Sequence, residues 1–190
     1  MKRGIRYVCF GKLNEATGAY TDGIYIGPTT QLNGSITKAE ADDYGDDMVQ
    51  ESESVVTGGT ITWESNSDSD EIYTYLLGHE VNDDGELIIN ANDVAPYVGV
   101  GSITFAEGKY CGKFYFKVKF SECDDNNSTV TDQITFGHVT LEGKIFLNKD
   151  YDLKARKMFD TLDDAIDWVK EKCGVSDNSS NSNNSNNSNP

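Results

Sequence analysis

Two phases of residues alternate strictly from position 110 to 120. Tyr110, Gly112, Phe114, Phe116, Val118 and Phe120 occupy one, and Cys111, Lys113, Tyr115, Lys117 and Lys119 the other. A period of two is the signature of a strand with one buried face. Two short apolar runs, 5–10 and 23–26, predict a strand pair, with Asn14, Thr17 and Gly18 supplying a hairpin turn between them. A third strand is expected over 32–37. Within 55–64, Ile61 and Trp63 share a face, and Gly58-Gly59 marks a bulge or a close approach of two backbones. Strand patterning returns at 134–147. There Ile134 and Phe136 follow one phase and Val139, Leu141, Gly143, Ile145 and Leu147 the other, so a bulge or corner is expected near Gly137-His138.

Two segments change period. Residues 68–77 read as a helix, with Ser67 as N-cap, Asp70 completing a capping box, Ile72, Tyr75 and Leu76 as the buried stripe, and Gly78 as the stop. Residues 161–173 form the clearest helix. Thr161 caps it with Asp164 three positions on, and Leu162, Ala165, Ile166 and Val169 make its apolar face with Trp168 at the edge. Lys170 and Lys172 sit at its negative end, and Gly174 ends it. Residues 82–85 form a turn leading into a strand over 87–90, and 121–133 read as an open polar loop. The predicted fold is mainly β, an antiparallel sandwich or barrel with one internal helix and one C-terminal helix.

The 190 residues suffice for one domain with a real core. A body over 1–150, an extension with the amphipathic helix over 151–175 and a tail over 176–190 are expected. That tail holds seven Asn and six Ser and nothing apolar, so it is expected to be disordered. No apolar run follows Met1, Lys2 and Arg3, so no signal peptide is expected, and no stretch is apolar enough for a membrane helix.

Charge alters the picture more. The formal net charge is -16 and the pI is about 4.3, which argues against direct binding to a nucleic-acid backbone. Seven carboxylates crowd into 40–54: Glu40, Asp42, Asp43, Asp46, Asp47, Glu51 and Glu53. Such a block repels itself, which predicts an exposed loop or long hairpin that orders on assembly. Lys113, Lys117 and Lys119 make a basic row in this acidic chain. Two readings fit: cross-strand pairing within the chain, or an inter-subunit seam against acidic residues such as Asp42, Asp43, Asp46 and Asp47.

Catalytic chemistry finds little footing. Asp83, Asp84 and Glu86 around Gly85 miss the EF-hand spacing and read as turn composition. Asp124, Asp125 and Asn126 read the same way. His79 follows a helix-ending glycine and reads as a helix-terminal or surface residue, and His138 as a packing or bulge residue. Cys9, Cys111, Cys123 and Cys173 are scattered, as isolated thiols in a reducing cell would be. Neither a phosphate-binding loop nor a dinucleotide fingerprint is present. The chain is read as a non-enzyme without metal or cofactor.

Four pieces in order carry a resemblance. They are Tyr-Ile-Gly-Pro-Thr-Thr-Gln-Leu-Asn-Gly at 25–34, the helix ending Leu76-Leu77-Gly78-His79, Asn92-Asp93-Val94-Ala95-Pro96-Tyr97-Val98, and Lys117-Val118-Lys119-Phe120-Ser121-Glu122. Over roughly residues 4–147 the chain resembles the major tail proteins, or tail tube proteins, of long-tailed bacteriophages of Gram-positive hosts. The resemblance implies a β-sandwich with a flanking helix and a virion protein assembled in the host cytoplasm. Its subunits would stack as hexameric rings around a channel, with 40–54 as the loop extended to a neighbouring ring. Implied partners are further copies of the chain, a tape measure protein in the lumen, and tail terminator and distal tail or baseplate proteins. Double-stranded DNA would pass without specific binding, and no membrane is involved. DNA slides best past like charge, so part of the acidity, with Asp and Glu of 40–64 as leading candidates, is expected to face the lumen.

The competing reading is a monomeric β-sandwich that binds carbohydrate or a cell surface. It would use Trp63, Tyr73, Tyr75, Tyr97 and Tyr115 as an aromatic platform.

Overall fold

The computed structural model describes residues 2–45, 48–121 and 139–176. Along these run β1 (Lys2–Leu13), β2 (Tyr20–Ile24), β3 (Thr29–Gly45), β4 (Met48–Ser65), α1 (Asp70–Ile72) and a π-helical turn (Tyr73–Leu77). There follow β5 (Glu80–Val81), β6 (Leu87–Ile88), β7 (Val98–Ala106), β8 (Lys109–Ser121), β9 (Val139–Phe146), β10 (Lys154–Phe159) and α2 (Leu162–Cys173). The protein is mainly β, as the patterning predicts. Eight strands form one antiparallel sheet in the order β2-β1-β7-β8-β9-β4-β3, with β10 beside β8, and β5 and β6 make a separate small hairpin.

The sheet curls so that its inner face closes on an apolar core. Val8 and Phe10 from β1, Val100 from β7, Val118 and Phe120 from β8, Leu141 from β9, and Ile61 and Trp63 from β4 meet there. The α1 segment and π turn cover this core with Ile72, Tyr75, Leu76 and Leu77. The helix expected over 68–77 is therefore present in altered form. Its N-cap is Ser69, which makes no side-chain capping bond, while the Ser67 N–H donates to Ser65 Oγ at 3.1 Å. The widened π turn brings three consecutive residues, Tyr75, Leu76 and Leu77, to the core, and Gly78 ends it at φ 81°.

The outer face of β1, β2, β7 and β8 is covered by α2, which buries a second core of Cys9, Ile103, Phe114, Ala165, Val169 and Cys173. Its caps are those predicted. Thr161 Oγ1 accepts from the Asp164 N–H at 3.2 Å and donates to the Asp164 carboxylate at 2.6 Å, and Gly174 closes the helix at φ 67°. Glycine on the sheet admits this close approach. A Cβ on Gly11 would stand 2.1 Å from the Cys173 carbonyl oxygen, and one on Gly101 would stand 2.5 Å from Val169 Cγ1. Residues 151–175 thus join the main body, because β10 pairs with β8 and α2 seals the sheet.

Three strands lie outside the patterns read from sequence, the two-residue β5 and the longer β7 and β10. The alternation in β8 is also interrupted. Val118 faces Val98 whereas Tyr115 faces Val100, so a bulge falls at Phe116-Lys117 and reverses the phase of the strand. Before it Phe114 and Phe116 lie on the α2 side, and after it Val118 and Phe120 join the inner core. The Tyr20 hydroxyl donates to the Phe116 carbonyl at 2.7 Å, and burial pushes this phenol up to about 12. In β9, Leu141, Gly143 and Ile145 are buried in the predicted phase. Ile134, Phe136 and the Gly137-His138 corner lie outside the described residues, as do 122–133 and the tail from 177.

Candidate self-association surface

β3 and β4 pair over 17 and 18 residues, far beyond the strands expected over 32–37 and 55–64. At their base, 59–65 of β4 also pairs with β9. Past that point the two strands continue as a ribbon with each other as sole strand partner among the described residues. The departure is at Gly58-Gly59, and directly beyond it the register with β3 shifts between Gly58 and Val56, which leaves Thr57 as the bulged residue. Gly58 has φ 154°, and a Cβ there would stand 2.7 Å from the Ile145 carbonyl oxygen. One on Gly59 would stand 2.2 Å from that of Ser35. Both expected features, a bulge and a close approach of backbones, occur together.

The ribbon is the acidic block in its long-hairpin form. Its register sets Glu40 opposite Ser54, Asp42 opposite Ser52 and Asp43 opposite Glu51. Asp46 and Asp47 lie outside the described residues. At its root Ile36, Val55 and Val56 are 41%, 54% and 36% exposed, an apolar collar below the carboxylates. The long outer edge of β3 has no second neighbour among the described residues.

The structure splits the row of lysines, correcting the expected shared face. Continuous pairing from Tyr115 back to Cys111 keeps Lys113 on the Tyr115 side of β8, opposite Ser102 of β7 and Arg156 of β10. The bulge carries Lys117 and Lys119 to the opposite face. There both amines stand over the Tyr97 ring, 4.0 and 5.5 Å from its centroid, and Lys117 Nζ donates to Glu15 Oε1. Lys117 thus has a partner within the chain. Lys149 Nζ donates to the Ala16 carbonyl at 3.2 Å, a second tie on the β1–β2 turn. In β9, Lys144 stands directly opposite Lys119. Tyr97 belongs to the Asn92–Val98 piece of the resemblance, but nothing there points to a lysine partner, and Glu15 and Lys144 carry no motif. Only the outward phase of Lys144 within β9 was available as a signal.

His79 is helix-terminal as expected but buried, and its Nδ1 lies 2.7 Å from Asp93 Oδ2. The same carboxylate oxygen accepts the Asn90 N–H at 3.0 Å. These contacts, that with His79 foremost, hold the Asp93 carboxyl below its usual range. The Asp83-Asp84-Glu86 segment is a turn built on Asn82, whose Oδ1 accepts from the N–H groups of Asp84 and Glu86. Cys9, Cys111 and Cys173 are free and buried, while Cys123 and His138 lie outside the described residues. Of the five aromatic residues considered for a platform, Trp63, Tyr75 and Tyr115 are buried and cannot present a binding face together.

A scan against protein-family models and a search of curated proteins return no match.

Proposed function

We propose that this chain is the subunit of a phage tail tube: a structural virion protein that polymerises into stacked hexameric rings. The observation that carries the reading is the β3–β4 ribbon. A two-stranded ribbon standing alone is marginally stable in water, and a long open edge is a template for pairing with another chain. A surface of this kind suits a protein whose partner is itself, because copies pairing edge to edge leave no strand open. The four ordered sequence pieces support the same assignment.

In this reading the tube surrounds a tape measure protein until ejection, and double-stranded DNA then passes along a lumen carrying excess Asp and Glu. Like charge keeps the polymer from being held. Tail terminator and distal tail or baseplate proteins close the two ends. The protein acts by assembly, without chemistry at a catalytic residue.

Sedimentation velocity across a concentration series, with and without a tail initiator complex, tests the proposal. Species of ring size or larger are expected in at least one condition. Strict monomers even with the initiator would overturn it and favour the monomeric binding module.

A further inference from the structure

We propose that Lys119 and Lys144, with Lys117 and the Tyr97 ring beside them, form the acceptor for the acidic ribbon of a second copy of this chain. This rests on the self-assembly reading and names the surface that receives the ribbon.

The acceptor is an electrostatic anomaly. Like charges directly opposite on neighbouring strands destabilise a sheet, yet Lys119 and Lys144 face each other in register in a chain with twice as many acidic as basic residues. Among the described residues neither makes an ion pair with a carboxylate. Lys119 leans on the Tyr97 ring, which holds its amine beside that of Lys117. Helix α2 packs on the β1, β2, β7, β8 and β10 side and does not cover β9. Glu142 shares the exposed phase of Lys144 in β9, and Glu15 is taken up by Lys117, so three lysines against two carboxylates leave the patch net positive on a stretch of sheet that no described element covers.

The ribbon has the complementary composition. Glu40, Asp42, Asp43, Glu51 and Glu53 lie in its strands, and Lys38 is its one basic residue. It cannot reach its own acceptor. Lys144 pairs with Thr60, and the acidic residues begin six positions further out along β4, opposite Ser54. At about 3.3 Å per residue they stand roughly 20–30 Å from that lysine along the strand axis. Donor and acceptor are different surfaces of one chain, so the contact is heterologous and propagates from copy to copy, closing into rings or running on along a tube. Such a contact weakens as salt screens it.

The test is a charge swap read by the critical concentration for assembly, with folding followed separately by thermal melting. K119E/K144E is expected to raise that concentration at least tenfold while melting within a few degrees of wild type. E51K/E53K should do the same, and the chain carrying all four changes should recover most of the loss. The neutral K119Q/K144Q should fall between and flatten the salt dependence. In parallel, carbodiimide coupling of assembled protein, mixed from isotope-labelled and unlabelled copies, should join Lys119 or Lys144 to ribbon carboxylates of a different copy. Wild-type protein that never assembles would refute the self-assembly reading itself. Wild type that assembles, with K119E/K144E assembling at the same concentration, or with lysine-to-ribbon links absent, would overturn the acceptor alone.

Discussion

Phe10 and Trp63 meet edge to face, ring centroids 5.2 Å apart and planes at 80°, although β7, β8 and β9 separate their strands in the sheet. Only a strongly curled sheet brings β1 and β4 together, so this contact is the closure of the inner core. Both side chains are fully buried, and Trp63 Nε1 donates to Thr29 Oγ1 at 2.8 Å. Replacing either residue with Ala should cost about 3–5 kcal/mol in urea unfolding. The double variant should cost less than the sum, because the two cavities merge.

The approach of α2 to the sheet depends on the missing Cβ at Gly11. The atom in the way, the Cys173 carbonyl oxygen, belongs to backbone and has no flexible end to swing aside. Gly11→Ala should destabilise the fold by about 1–3 kcal/mol and loosen the helix, seen as faster proteolysis around 174. An unchanged melting curve with unchanged protection would show that the helix tolerates displacement.

The His79–Asp93 pair gives an acid-sensitive link between the π turn and the 90–97 segment. The Asp93 carboxyl titrates below its ordinary value of 3.8 in the folded protein. Its contribution to stability is thus fully present above that value and is lost as pH falls through the lower folded value. Between pH 5 and pH 2 the unfolding midpoint of wild type should drop more steeply than that of D93N, with the two curves converging at the acid end. Parallel curves would mean the pair contributes nothing linked to protons.

Lys117 is tied within its own chain to Glu15, and the Glu15 side chain is 55% exposed. A double-mutant cycle on unfolding should give a coupling of about 0.2–1 kcal/mol, as exposed pairs do. K117E should impair assembly more than folding, since it places a carboxylate beside Lys119. Normal assembly with a much earlier melt would make Lys117 an internal brace only.

Much of this fold was legible because local chemistry and tertiary packing agree. α2 has its caps, stripe and glycine stop at the predicted residues, and the phase of β9 is fixed by Leu141, Gly143 and Ile145. β7 was illegible for a physical reason. Its Val-Gly-Val-Gly start weakens strand character locally, yet Gly99 and Gly101 are required where Tyr20, Phe114, Val169 and Cys173 crowd the backbone. β10 reads as polar sequence because only Ala155 and Phe159 are even partly buried and its pairing partner is remote in the chain. The bulge in β8 left no mark on the alternation, so lysines that share a phase in sequence divide between two faces. Of the proposed interface, the acidic hairpin was visible as composition, while Lys144 became a candidate only once register placed it opposite Lys119.

The central claim is that copies of this chain close around a channel, and electron micrographs of assembled protein test it most directly. The account predicts rings and stacked tubes with a continuous central channel wide enough for duplex DNA, formed spontaneously or on an initiator complex. Solid fibrils without a lumen, or dispersed single subunits under both conditions, would contradict it.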